Sequence, residues 1–107
     1  MYDPSQKIPP DAALANAAVA RCCDAGSAAQ RAASARQLSN YDSNIAIHQA
    51  YRKAMPPLAG PDNIRDFVAC VAHGMLSGVF TSSESSKLLY AAQVAGGMAH
   101  NRAPKAS

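Results

Sequence analysis

Ile64, Phe67, Val68, Val71, Met75 and Val79 recur at spacings of three and four, and no other feature constrains the fold of this chain as tightly. A run with that period is an amphipathic helix whose apolar stripe has to be covered by another element. Asp66, Cys70, His73 and Ser77 fall on the other side of the same wheel as a narrow polar stripe. Gly74 and Gly78, four residues apart, leave room for a second helix to come close. Leu58-Ala59-Gly60-Pro61 reads as the turn before this helix, with Asp62 or Asn63 as its N-cap.

The neighbours supply the cover. Asp42 or Ser43 caps a helix that ends at Pro56-Pro57, with Ile47, Ala50, Tyr51, Ala54 and Met55 on one face and Gln49, Arg52 and Lys53 elsewhere. After Phe80, Thr81-Ser82-Ser83-Glu84 is a capping box that opens a last helix running to about Ala99. Leu88, Ala91, Ala92, Ala95 and Met98 are its expected buried face, seated on Gly74 and Gly78, and Gly96-Gly97 should fray its end. No segment carries a strand period. The fold class is all-α: a small bundle of three to four helices, with a C-terminal αα-hairpin and an alanine-rich N-terminal helical arm.

The arm is the less determined part. Residues 1–9, with Pro4 and Pro9, read as a flexible leader, and Pro10-Asp11 suits a first helical turn. Residues 10–37 are rich in alanine, which favours helix strongly and buries little surface per residue. With Gly26-Ser27 as a bend, this arm is expected to dock weakly or to order on a partner. The core is expected within 38–100, followed by a flexible tail over 101–107.

At 107 residues the chain has room for one modest core. A net charge of +3 from 10 Lys and Arg is too small and too scattered to argue for nucleic acid. The start lacks a secretory pattern, and no stretch is long and apolar enough for a membrane span, so a cytoplasmic address is the default expectation. Cys22, Cys23 and Cys70 are odd in number, and the first two are adjacent, so they read as reduced thiols and not as a disulfide framework.

Three constellations bear on chemistry. Cys70 and His73, three apart on one helix, form a conceivable thiol–histidine pair, or the start of a zinc site completed by Cys22, Cys23 or His48. One C-x-x-H and a separate C-C fall short of the paired ligand modules of structural zinc, and no oxyanion pocket is implied. The helix over 81–99 is a candidate DNA-reading element, with Ser82, Ser83, Ser85, Ser86 and Lys87 meeting phosphates or base edges and Gln93 as its one side chain of the usual base-reading types. No phosphate loop, paired-carboxylate site or metalloprotease motif is present. No catalytic, cofactor-binding or metal-ligating residue is therefore assigned, no cofactor is expected, and the chain is not read as an enzyme.

Tyr51-Arg52-Lys53-Ala54-Met55-Pro56, Asn63-Ile64-Arg65-Asp66-Phe67 and Leu88-Leu89-Tyr90-Ala91-Ala92-Gln93 resemble segments of short, uncharacterised bacterial proteins over roughly residues 45–95. The resemblance implies a bacterial origin and no activity, and it singles out Asn63, Arg65, Asp66, Tyr90 and Gln93 as polar positions. With Arg52, Lys53, His73 and Lys87 they make up the candidate partner-binding residues. The expected function is a small non-enzymatic macromolecular interaction protein, an adaptor, inhibitor or regulator of the kind carried by mobile elements. Its expected partner is another protein, with nucleic acid second. A membrane is not expected, and a homodimer is compatible with the pattern. A helix-turn-helix-like DNA-binding regulator using the 81–99 helix is the alternative, and a thiol- or zinc-dependent site at Cys70 and His73 the third.

Overall fold

The computed structural model describes the backbone of residues 16–102 and the side chains of residues 16–97. The leader over 1–9, the helix start at Pro10-Asp11, the tail beyond 102 and any contact of Met98 lie outside the described residues. Those residues form four helices and no strand: α1 Ala17–Ala35, α2 Asn40–Ala54, α3 Pro61–Leu76 and α4 Ser82–Arg102. The chain is the all-α bundle its periodicity requires. No helix among the described residues is long and apolar enough to cross a membrane.

Short connections make two antiparallel hairpins, α1 with α2 and α3 with α4. The hairpins meet where α1 lies against α3. There Asn16 pairs with Asp66, Cys22 with Cys70 and Cys23 with His73, climbing in the same direction on both helices, so these two run parallel.

The core is not confined to 38–100, because the alanine-rich segment enters it. Ala18, Val19 and Cys22 of α1 belong to the same core cluster as Tyr51, Met55, Phe67, Cys70, Val71, Phe80 and Ala92. Small residues let two helix backbones approach, and α1 is unbroken through Gly26, which is buried. A Cβ on Gly26 would meet Ile47 Cγ2 at 3.6 Å, an ordinary contact, so this glycine marks a close helix crossing and not a bend. At the start of α1, Asn16 Oδ1 accepts from the Val19 N–H at 3.1 Å, while its Nδ2 donates to Asp66 at 3.4 Å. One side chain caps α1 and ties it to α3.

Two helix starts differ from the expectation. The N-cap of α2 is Ser39, whose Oγ accepts from the Asp42 N–H at 3.1 Å; Asp42 sits in the first turn, where its charge suits the helix dipole. The N-cap of α3 is Gly60 at φ 89°, followed by Pro61 at the first helical position, so the turn residues are also the helix start. The capping box of α4 forms as read: Thr81 Oγ1 accepts from the Glu84 N–H at 3.0 Å and Glu84 Oε1 accepts from the Thr81 N–H at 3.2 Å. α4 then continues through Gly96 and Gly97 to Arg102, past the expected end.

Gly74 and Gly78 do something other than admit α4. Gly78, at φ 84°, is the left-handed residue of a Schellman ending, with the Val79 N–H on the Gly74 carbonyl at 2.8 Å and the Gly78 N–H on the Met75 carbonyl at 3.2 Å. Gly74 lies under two aromatic rings: a Cβ there would stand 2.5 Å from Phe80 Cδ2 and 3.2 Å from Tyr51 Cε1. Phe80 packs edge-to-face on both Tyr51 and His48, at centroid distances of 5.4 and 5.3 Å.

The buried faces shift accordingly. On α3 the inward set is Phe67, Cys70, Val71 and Gly74, while Val68 and Met75, expected in the core, are exposed. The stripe Asp66, Cys70, His73 and Ser77 is not an outer face; Cys70 is fully buried and the other three are half-buried. On α4, Ser85 and Ala92 are buried, Leu88 and Leu89 pack against the core, and Ala91 points out.

Candidate functional site

The seam between α1 and α3 gathers the reactive side chains. Adjacent residues on a helix diverge by about 100°, and residues three apart by about 60°. Cys22 and Cys23 therefore splay towards two different partners on α3. Cys22 Sγ lies 3.6 Å from Cys70 Sγ, with both residues completely buried. Cys23 Sγ lies 3.2 Å from His73 Nε2 at the half-buried rim. Cys70 and His73, conceivable partners of each other, thus each face a cysteine of α1 across the helix interface.

Tyr51 of α2 closes the seam from behind. Its hydroxyl donates to the Cys70 carbonyl at 2.6 Å, and its ring lies parallel to that of His73 at 6.5 Å. Burial, then the neighbouring thiols, pushes the phenol up, so it stays a donor. The Cys22 S–H donates to Cys70, which lowers the Cys70 thiol and raises that of Cys22. Burial is also the leading cause that raises the Cys23 thiol, with Asp24 and Cys70 adding to it. A thiol held up in this way is a poor nucleophile at neutral pH, in spite of its histidine neighbour. Among the described residues no group of three or more His, Cys, Asp or Glu side chains is placed to hold a metal ion. The chemistry that the seam brings within reach is between sulfur and sulfur.

The nine candidate polar positions separate into four settings. Arg52 and Lys53 are exposed at the end of α2, beside an open groove of about 650 Å³ that also touches His48, Pro56 and Pro57. The Arg52 guanidinium also stands 5.4 Å from the centroid of the Phe67 ring. Asn63 and Arg65 serve the start of α3: Asn63 Nδ2 donates to the Ala59 carbonyl at 2.8 Å, and Arg65 pairs with Asp62 at 2.9 Å. Asp66 and His73 belong to the seam. Lys87, Tyr90 and Gln93 lie exposed on α4.

That last setting has an apolar component which sequence reasoning missed. Tyr90 is 67% exposed and Val94, one turn on, is 44% exposed. With Lys87 they follow the spacing of three and four that puts side chains on one helix face. The signal was available in the same wheel that placed Leu88 and Ala92 inside, because Tyr90 and Val94 lie two residues either side of Ala92. Met75 and Leu76, at the end of α3, are exposed as well.

The candidate DNA-reading helix pairs antiparallel with α3. A helix-turn-helix crosses its helices at about 90–120°. Here α3 and α4 pack antiparallel along their lengths, and Ile64 Cγ2 at the start of α3 lies 3.8 Å from where a Cβ of Gly96 would sit. Ser85, one of the candidate DNA contacts, is buried and donates to the Thr81 carbonyl at 2.8 Å.

Comparison of the chain with protein-family models, with curated proteins and with solved structures gives no match.

Proposed function

We propose that the protein is a small non-enzymatic interaction module that presents the outward side of α4 to another protein. The observation that carries this reading is the exposed Tyr90–Val94 stripe, flanked by Lys87 and Gln93, on a helix whose opposite side is already committed to α3. Tyrosine is among the residues that dominate protein interfaces, since it offers a large rigid contact and a hydroxyl at low entropic cost. An amphipathic helix face with anchors at such spacings is the usual donor in helix-in-groove recognition. The seam cysteines add no competing catalytic reading, because Cys22 and Cys70 are completely buried and burial raises the Cys23 thiol.

The test is capture by the tagged full-length chain from a bacterial lysate, with and without nuclease, against a Tyr90→Ser/Val94→Ser variant. The expected result is a specific protein retained in both lysates and reduced at least tenfold by the variant, on the order of an interface anchor's contribution. Equal retention by the variant would remove α4 from the interface. Enrichment that vanishes with nuclease would turn the assignment to nucleic acid.

A further inference from the structure

All three cysteines of the chain lie in one seam, although Cys22 and Cys70 are 48 residues apart in sequence. Their sulfurs are in van der Waals contact at 3.6 Å, and they come from two helices that no disulfide joins. A disulfide requires about 2.05 Å between sulfurs, so the pair is about 1.5 Å from bonding distance. Small rotations about the two Cα–Cβ bonds supply displacements of that size. We propose that Cys22 and Cys70 are a redox-active dithiol, which a small disulfide of the glutathione class oxidises to a disulfide tying α1 to α3.

The exchange runs in two steps. In the closed bundle the Cys22 S–H lowers the Cys70 thiol, so Cys70 is given the first step, and the exchange balances equally with the two sulfurs' roles reversed. The Cys70 thiolate attacks one sulfur of the small disulfide RS–SR; a Cys70–S–SR bond forms, the S–S bond of the oxidant breaks, and RS⁻ departs. Cys22 then attacks the Cys70 sulfur, the mixed disulfide breaks, and the second RS⁻ departs. The two protein thiols lose two electrons and two protons, and the oxidant becomes two RSH.

Both sulfurs are inaccessible in the closed bundle, so the first attack requires α1 to lift from α3. Cys23 is a bystander, kept protonated beside His73 and unable to bridge readily to adjacent Cys22.

The experiment treats the full chain with oxidised glutathione under native conditions and counts free thiols by intact mass after alkylation. Wild type is expected to retain one thiol and Cys23→Ser none, with no glutathione attached in either. Cys22→Ser and Cys70→Ser are expected to form no internal bridge. The oxidised Cys23→Ser chain should unfold in urea with an equilibrium constant lower by on the order of 10²–10³-fold, reversed by dithiothreitol, as closing a loop of this length implies. The proposal is overturned if Cys23→Ser keeps both thiols or ends as a glutathione adduct. It is equally overturned if Cys22→Ser bridges as readily as wild type, or if the bridged chain is less stable than the reduced one. The thiol count on Cys23→Ser leaves both proposed sulfurs intact, so it does not depend on how the other variants fold.

Discussion

Replacing Gly74 by alanine tests the packing of the bundle at its tightest point. The added methyl would stand 2.5 and 2.7 Å from two carbons of the Phe80 ring and 3.2 Å from Tyr51 Cε1. Unstrained carbons sit at about 3.5–4.0 Å, so the Phe80 ring has to retreat by about 1 Å. It has little room to do so. Phe80 is buried, held edge-on by His48 and Tyr51, and its N–H is bonded to the Gly74 carbonyl at 3.1 Å. Overpacking of this kind costs about 1–3 kcal/mol. The better helix propensity of alanine returns up to about 1 kcal/mol, and less near a helix end. The expected net loss is about 1–2 kcal/mol, read as a lower urea midpoint at unchanged slope. Repeating the substitution in a Phe80→Leu background should abolish the loss, because the obstructing ring is gone, and the cycle should return a coupling of about 1–2 kcal/mol. A Gly74→Ala chain as stable as wild type, or an equal loss in both backgrounds, would refute the steric reasoning.

Two further substitutions read other parts of the fold. Gln37, the left-handed residue at φ 56° that ends α1, should be replaced by glycine with a gain of about 0.5–1 kcal/mol in urea unfolding; a loss would mean that the Gln37 side chain makes an unrecognised contact. Glu84 has its carboxyl lowered by the Thr81 N–H first and by His48, at 2.7 Å, second. A group whose folded pKa is depressed contributes stability above its unfolded value and loses it as pH falls through the folded one. Stability should therefore drop on acidification below about pH 4.5, and Glu84→Gln should flatten that part of the profile, with unchanged acid sensitivity as the contrary result.

The elements of this bundle were legible where side chains are large or caps are strong. The stop at Pro56, the Thr81–Glu84 box and the inward Tyr51 and Met55 all follow from residue type and spacing. The inward side of α3 was misplaced because Cys70 and Gly74 carry weak hydrophobic signals, while Val68 and Met75 carry strong ones. Contact is decided by fit, and the two aromatic rings from α2 and the α3–α4 loop need the bare backbone at Gly74. The docking of α1 was hidden for a related reason: Ala18, Cys22, Gly26 and Ala33 bring backbones together without the large side chains that pattern reading weighs. The pairing of Cys22 with Cys70 was beyond reach of the sequence, since it depends on which two hairpins meet and in what register.

That register has a kinetic side. Each hairpin is built from contacts close in sequence, and such contacts form quickly, whereas the α1–α3 contacts span 48 to 50 residues and carry the loop-closure cost of the whole fold. Two local hairpins should therefore assemble first and join last. A mutation at Asp66 should then speed unfolding while leaving the refolding rate nearly unchanged, whereas one at Asn16 also removes the cap of α1. A newly made chain would pass through a stage in which both hairpins exist and their sulfurs have yet to meet.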